Sequence, residues 1–467
     1  MPEKTIYTGA FVHCKTLKEL EICASGSIGV DEAGKIAFIS PSSSTPPPPG
    51  WTTAKTIRPL GPHAFFFPGF IDTHTHAPQF PNAGLFGSTT LLSWLSTYTF
   101  PTESRFASLA FARRVYARVV ARLLSHGTTC AAYYATVHVP ATNLLAELCH
   151  ERGQRAFVGR VCMDRMSPDY YRDESAGQAV ADSRASLEFI RELGRRGQGE
   201  GQGDGQGLEG HLVQGIVTPR FAPSCSEEAM RGLGELAREW GVRVQTHVSE
   251  NRDEVEMVRG MWPDRRDYVD VYDEMGLLGE RTVLAHAIWL SEEERRIIKE
   301  RRTKISHCPC SNTCLTSGTA KVRTLLDDGI DVGLGTDVSG GYSGSMLEEV
   351  RQAILVSRHV AMEEGDKAKL SFEEGLWLAT RGGAKVLGLE DRVGGFEVGM
   401  EWDAQMINLG SVGEDGALGE DDGLVDVYGE EKWNDVVAKW VYTGDDRNTQ
   451  AVWVKGRLVH SRPGVQL

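Results

Sequence analysis

Between residues 68 and 390 the chain alternates short β-rich runs ending in polar residues with longer stretches of helical spacing, and this alternation narrows the possible folds more than any other feature. The runs are FPGFIDTH, TTCAAYYA, RAFVGRVCM, GIVTPRF, VRVQTHV, TVLAHAI, KISHCP and DVGLGTD. Eight strand-then-helix units predict a parallel (β/α)₈ barrel, whose functional residues gather at the C-terminal ends of the strands. Intervening stretches such as EEAMRGLGELAREW and LEEVRQAILVSRHVAM carry the apolar stripe that suits its outer ring. The two ends of the chain differ. Residues 1–67, with IYTGAFVH, SIGVDEAG and KIAFIS, and residues 400–467, with DAQMINL and AVWVKGRLVH, show short strands and tight turns without long crossover helices. The reading is an α/β protein: a barrel over 68–399 and one small β-sandwich domain assembled from 1–67 and 400–467.

Composition narrows the function classes. A net charge of −14 argues against a nucleic-acid ligand, because proteins that grip phosphate backbones carry a basic stripe. No apolar stretch approaches the roughly 20 residues of a membrane helix, so no membrane partner is expected. Nine cysteines, an odd number scattered over a long chain, argue for reduced thiols rather than a disulfide framework. Neither MPEKTIYTGA nor PGVQL reads as a targeting signal, and a cytoplasmic protein is expected. Two low-complexity segments, residues 40–50 (SPSSSTPPPPG) and 194–210 (GRRGQGEGQGDGQGLEG), read as surface loops too poor in apolar surface to order themselves. The acidic blocks GEDGALGEDDG and YGEEK read as solvated loops.

Several of the expected strands end in a residue that can bind a metal or move a proton. His74 and His76, one residue apart on an extended strand, project to the same side. His247 ends another such run with Glu250 three residues on, and Asp337 ends a further one. Singly, His247 reads as a hydrogen-bonded core residue and Asp337 as a helix N-cap or turn former. Together, three imidazoles and a carboxylate make a mixed N/O set suited to Zn²⁺ or Fe²⁺ with a position open for water, the pattern of a catalytic rather than a closed site. Cys308, Cys310 and Cys314 form a CxCx₃C cluster that lacks the partners for a tetrahedral thiolate site. Their spacing also differs from the PCxxC that accompanies HxE in one class of zinc-dependent nucleobase deaminases, and the chain contains no HxE.

PGFIDTHTH, HVSE, LAHAIWL, SHCPCSN and GLGTDVSGG, in this order, resemble the successive motifs of the amidohydrolase superfamily, and the similarity covers nearly the whole chain. Within it, THTHAPQF, TPRFAPSCS and TDVSGGYSGSML resemble the guanine deaminases, TPRF most specifically. The resemblance implies one Zn²⁺ per chain on His74, His76, His247 and Asp337. It implies that Glu250 passes a proton to the purine N3 as hydroxide attacks C2, and that Asp337 also accepts a proton from the nucleophile. His286 would hydrogen-bond that nucleophile or serve as a fifth ligand, as in binuclear relatives. A two-metal site usually needs a bridging carboxylated lysine, and Arg220 stands at the end of the TPRF strand instead, which favours one metal. Guanine as the substrate rests on Gln79, Arg220 and Phe221, joined by Glu250 and His286. Arg220 offers a rigid fork of donors, Gln79 a donor and an acceptor, and Phe221 a flat face for a purine.

WLSTYTFPTE reads either as a cover for the substrate or as ordinary packing at the barrel mouth, and His307 reads as structural. Relatives are commonly homodimers, and the resemblance extends that expectation here. Two rival readings remain. Another deaminase of the superfamily, acting on adenosine derivatives, cytosine or a triazine, is not expected to carry TPRF or Gln79. A non-catalytic scaffold barrel typically loses ligands that this chain keeps.

Overall fold

The computed structural model describes residues 3–59, 61–196, 210–413, 425–465 and 467. The Gly/Gln-rich insertion at 197–207, and the acidic block after residue 413, lie outside them. Eight strands form the barrel: β1 Phe70–His76, β2 Thr128–Tyr134, β3 Arg155–Gly159, β4 Val213–Pro219, β5 Arg243–Val248, β6 Thr282–His286, β7 Lys304–His307 and β8 Val332–Leu334. Successive strands pair in parallel all the way from β1 to β8. Every residue of β1 and β2 is buried, as a strand must be when helices cover one face and the barrel interior the other. The helices bury one stripe each. Helix Glu227–Trp240 sets Ala229, Met230, Leu233, Leu236 and Ala237 inward, starts on Ser226, whose hydroxyl accepts from Ala229 N, and stops at Gly241 in the left-handed region.

The apolar run ahead of the two histidines is two strands rather than one. Phe65–Pro68 lies in the sheet of the chain ends, parallel to Thr5–Thr16 and antiparallel to Ala404–Ile407. The barrel begins only at Phe70. Gly69 is the pivot between them, since a Cβ there would meet Thr129 Oγ1 at 2.1 Å.

The small β-domain is a mixed eight-stranded sheet built from both ends of the chain. Tyr7, Phe66, Trp402 and Trp453 pack its core, with the Tyr7 and Trp402 rings 4.4 Å apart. Arg155, at the start of β3, ties the barrel to this domain: its guanidinium donates to Asp403 at 3.0 and 3.1 Å and to Glu401 at 2.6 Å.

Strands β8 and β1 close the ring without a regular ladder. Asp337 N donates to His74 O at 2.8 Å, and His76 N to Val338 O at 3.2 Å. Thr73 Oγ1 donates to Leu334 O, and Asp72 accepts from Thr336 N at 3.0 Å and from its hydroxyl at 2.6 Å. Gly335 permits the approach, because a Cβ there would lie 2.7 Å from that of His74.

Candidate active site

His74 and His76 leave β1 toward the same side, His247 lies near the end of β5, and Asp337 follows β8. One ligand atom from each falls within 4.8 Å of every other. His76 Nε2 is 3.1 Å from His247 Nε2, while Asp337 Oδ1 is 3.0 Å from His74 Nε2 and 3.4 Å from His76 Nε2. Ligands about 2.0–2.1 Å from a tetrahedral zinc stand about 3.3–3.4 Å apart, so this spacing suits one cation. Two imidazole nitrogens facing each other at 3.1 Å gain at most one hydrogen bond, whereas a shared cation satisfies both. His247 Nδ1 lies 2.6 Å from Arg220 O, which fixes the tautomer that leaves Nε2 free.

Burial holds His76 and His247 well below the ordinary histidine range, so their rings keep a lone pair. Burial alone would raise the Asp337 carboxyl, but the surrounding histidines outweigh it and hold that group well below the usual carboxylate range. Neutral rings beside an ionised carboxylate are the protonation states that metal binding requires.

His286 ends β6 with Nδ1 2.8 Å from Asn312 Oδ1, and its buried Nε2 has no hydrogen-bond partner among the described residues. That nitrogen stands 3.4 Å from Glu250 Oε2 and 3.7 Å from Asp337 Oδ2. Glu250 is 2 % exposed, and burial with Asp337 nearby pushes its carboxyl up to about 7 although His286 pulls it down. Ser249, His286, Ala287 and Asp337 all have positive φ without being glycine, strain that collects at functional sites.

Beside the cluster a pocket encloses about 350 Å³ of space free of protein atoms, its open mouth included. Its walls are His76, Gln79, Leu91, Trp94, Leu95, Arg220, Phe221, His247, Glu250, Leu315 and Asp337. The stretch WLSTYTFPTE thus supplies two wall residues, Trp94 and Leu95. The structure brings together every site residue predicted from the sequence: ligand candidates, Glu250 and His286 at one end, and Gln79, Arg220 and Phe221 along the pocket.

Sequence reasoning missed Glu103, whose carboxylate accepts from Arg220 at 2.7 and 3.1 Å, from Gln79 Nε2 at 2.9 Å and from Tyr171 OH at 2.7 Å. It also missed Asn312 behind His286, and Asp72 in the closing seam. Among the cysteines, Cys308 Sγ lies near His74 and His286, but burial holds its thiol well above the ordinary range and disfavours the thiolate. Cys310 and Cys314 join no metal-ligand cluster among the described residues. His307 is buried, and burial pushes it down to about 3.

A cation site at the C-terminal ends of parallel barrel strands, with a titratable carboxyl beside it, is the layout of a metal-dependent hydrolase. The chain belongs to the amidohydrolase family, which residues 65–459 match. It is 44% identical over 463 residues to a probable guanine deaminase of Schizosaccharomyces pombe, covering 97% of this chain and 83% of that one. It is 40% identical over 466 residues to the guanine deaminase of Homo sapiens, covering 98% and 97%. Among solved structures, the guanine deaminase of C. acetobutylicum with guanine bound in its active site superposes with a TM-score of 0.85 at 33% identity, over 98% of this chain and all of that one.

Proposed function

We propose that this chain hydrolyses guanine at C2 to xanthine and ammonia, with one zinc ion per chain held by His74, His76, His247 and Asp337. The observation that carries the reading is the convergence of these four residues beside a pocket walled by Gln79, Arg220 and Phe221. Kinship with guanine deaminases over nearly the full chain supports the choice of base. Zinc bound there would make a water acidic enough to lose its proton near neutral pH.

The protein's own groups do the rest. Glu250, with a pKa raised to about 7, can hold a proton and release it at neutral pH. It passes one of the water's protons to N3 as the oxygen adds to C2, and Asp337 takes the oxygen's second proton, which goes to the 2-amino group as that group leaves as ammonia. His286 presents its free Nε2 toward Glu250 and Asp337 and steadies the attacking oxygen, while Asn312 fixes the ring from behind. Arg220 and Gln79 supply hydrogen bonds to the purine edge, and Phe221 packs against its face. The same reading makes the chain a homodimer, by analogy with its family, and places it in the cytoplasm, because neither end resembles a targeting signal. Sedimentation of the purified chain and imaging of a tagged one test them.

The deciding experiment measures xanthine and ammonia release from guanine beside adenine, cytosine and guanosine, with metal content determined on the same sample. Turnover of guanine alone with about one zinc per chain is expected. Turnover of a different base would overturn the roles of Gln79, Arg220 and Phe221, and a metal-free, inactive protein would overturn the reaction.

A further inference from the structure

Glu103 touches two residues of the pocket wall without itself lining the pocket. It lies in the helical segment Phe100–Ser104, which follows the turn Leu95–Thr99 that the wall residue Leu95 opens, and its side chain is fully buried. Four bonds from three donor residues converge on its two oxygens. Oε1 accepts from Gln79 Nε2 and Arg220 Nη2, and Oε2 accepts from Tyr171 OH and Arg220 Nη1. A carboxylate has about four acceptor sites, so this one is saturated.

The consequence falls on Gln79 and Arg220. A carboxylate can only accept, so the Gln79 amide nitrogen must face Glu103. The amide oxygen must face Ser339 N, a donor 3.2 Å away. The side chain is thereby held in one of its two flip states, with one N–H left for the pocket. Both terminal nitrogens of Arg220 are committed to Glu103, which sets the plane of the guanidinium and leaves its remaining N–H groups for a ligand. Phe100 packs near that plane, 5.4 Å from the guanidinium carbon, and fixes it further.

We propose that Glu103 is a positioning residue that sets selectivity for a purine bearing a carbonyl at C6. Held by Glu103, Arg220 and Gln79 present donors, and only donors, to that edge of the base. Without it the Gln79 amide is free to turn its oxygen into the pocket, and Arg220 becomes a buried cation lacking its partner. This inference rests on the guanine reading above.

The test compares zinc-loaded wild type with Glu103→Gln and Tyr171→Phe on two bases, guanine and 2-aminopurine. Both carry the 2-amino group, but 2-aminopurine has no carbonyl at C6; it is measured as a substrate or as a competitive inhibitor of guanine. For Glu103→Gln, kcat/KM on guanine should fall by about 10- to 100-fold, the loss of an oriented charge-assisted hydrogen bond, chiefly through KM. The value for 2-aminopurine should fall far less, so the ratio between the bases narrows. Tyr171→Phe removes one of the four bonds and should narrow the ratio in the same direction by a smaller factor. It decides the matter if Glu103→Gln does not fold. Equal losses on both bases, or an unchanged ratio, would sink the role of Glu103 while leaving the guanine reading intact. A wild type inactive on guanine would sink the reading first.

Discussion

Glu250 shows how burial, with Asp337 nearby, prepares a single residue for proton transfer. An exposed glutamate is almost fully ionised at pH 7, whereas one pushed up to about 7 exchanges its proton there. Glu250→Gln keeps the volume and removes the exchange. It should lower kcat for guanine by about 10²- to 10⁴-fold. Because Glu250 stands outside the cluster of ligand atoms, zinc content should stay unchanged. Metal analysis beside steady-state kinetics checks this, and a variant that loses its zinc would instead make Glu250 a ligand. The ligand set was legible in the sequence because each member closes a β-rich run, so its neighbours announce its position. Glu103 was not legible: its partners lie 24, 68 and 117 residues away, and nothing in TFPTE announces Gln79, Tyr171 or Arg220. The positive φ angles of His286 and Asp337 were equally hidden, since no glycine marks them.

At the scale of elements, the eight strands were legible because parallel strands buried on both faces leave continuous apolar runs between helical stripes. The split at Gly69 was not, because FFFP and FID are equally apolar and only the partner strands differ. The contact between barrel and β-domain was likewise invisible, since Arg155 meets acidic partners nearly 250 residues away. Arg155→Met would leave Asp403 buried without its cation, while Glu401 keeps Arg392. Breaking such a pair costs about 3–5 kcal/mol, read as a lower urea midpoint at unchanged slope. A second element-level prediction concerns pH. Burial, with help from Arg381, pushes His13 in strand Thr5–Thr16 down to about 4, whereas an unfolded histidine titrates near 6.5. The fold therefore prefers the neutral ring. Its contribution is complete above pH 6.5 and drains away as the pH falls toward 4, because the unfolded chain takes up the proton first. By pH 4.5 the loss is about 2–3 kcal/mol. His13→Gln lacks this contribution, so the stability gap between wild type and variant should shrink between pH 7 and pH 4.5. A constant gap would show that His13 does not titrate in that interval.

At the scale of the whole molecule, the cation site and the closure of the barrel fall in the same place. Strands β1 to β8 are joined in turn by parallel ladders, but β8 returns to β1 through a handful of bonds from Asp72, Thr73, His74 and His76. Three of the four ligand candidates, His74, His76 and Asp337, stand on either side of that seam, and His247 sits opposite. A cation held there bridges the weakest junction of the ring, so its binding energy acts on closure as well as on chemistry. Anything that binds only the folded state stabilises it, by about 4 kcal/mol at a thousandfold excess over Kd. Chelation should therefore abolish turnover and lower Tm without unfolding the chain, because the apolar core does not depend on the ion. Added zinc should restore both. The location of the loosening is the sharper test. Amide hydrogen exchange in the chelated protein should quicken first at residues 70–76 and 332–338, while β4 and β5 stay protected. Uniform quickening around the ring would mean that the ion stabilises the barrel as a whole, and the seam would then carry no special share of its closure.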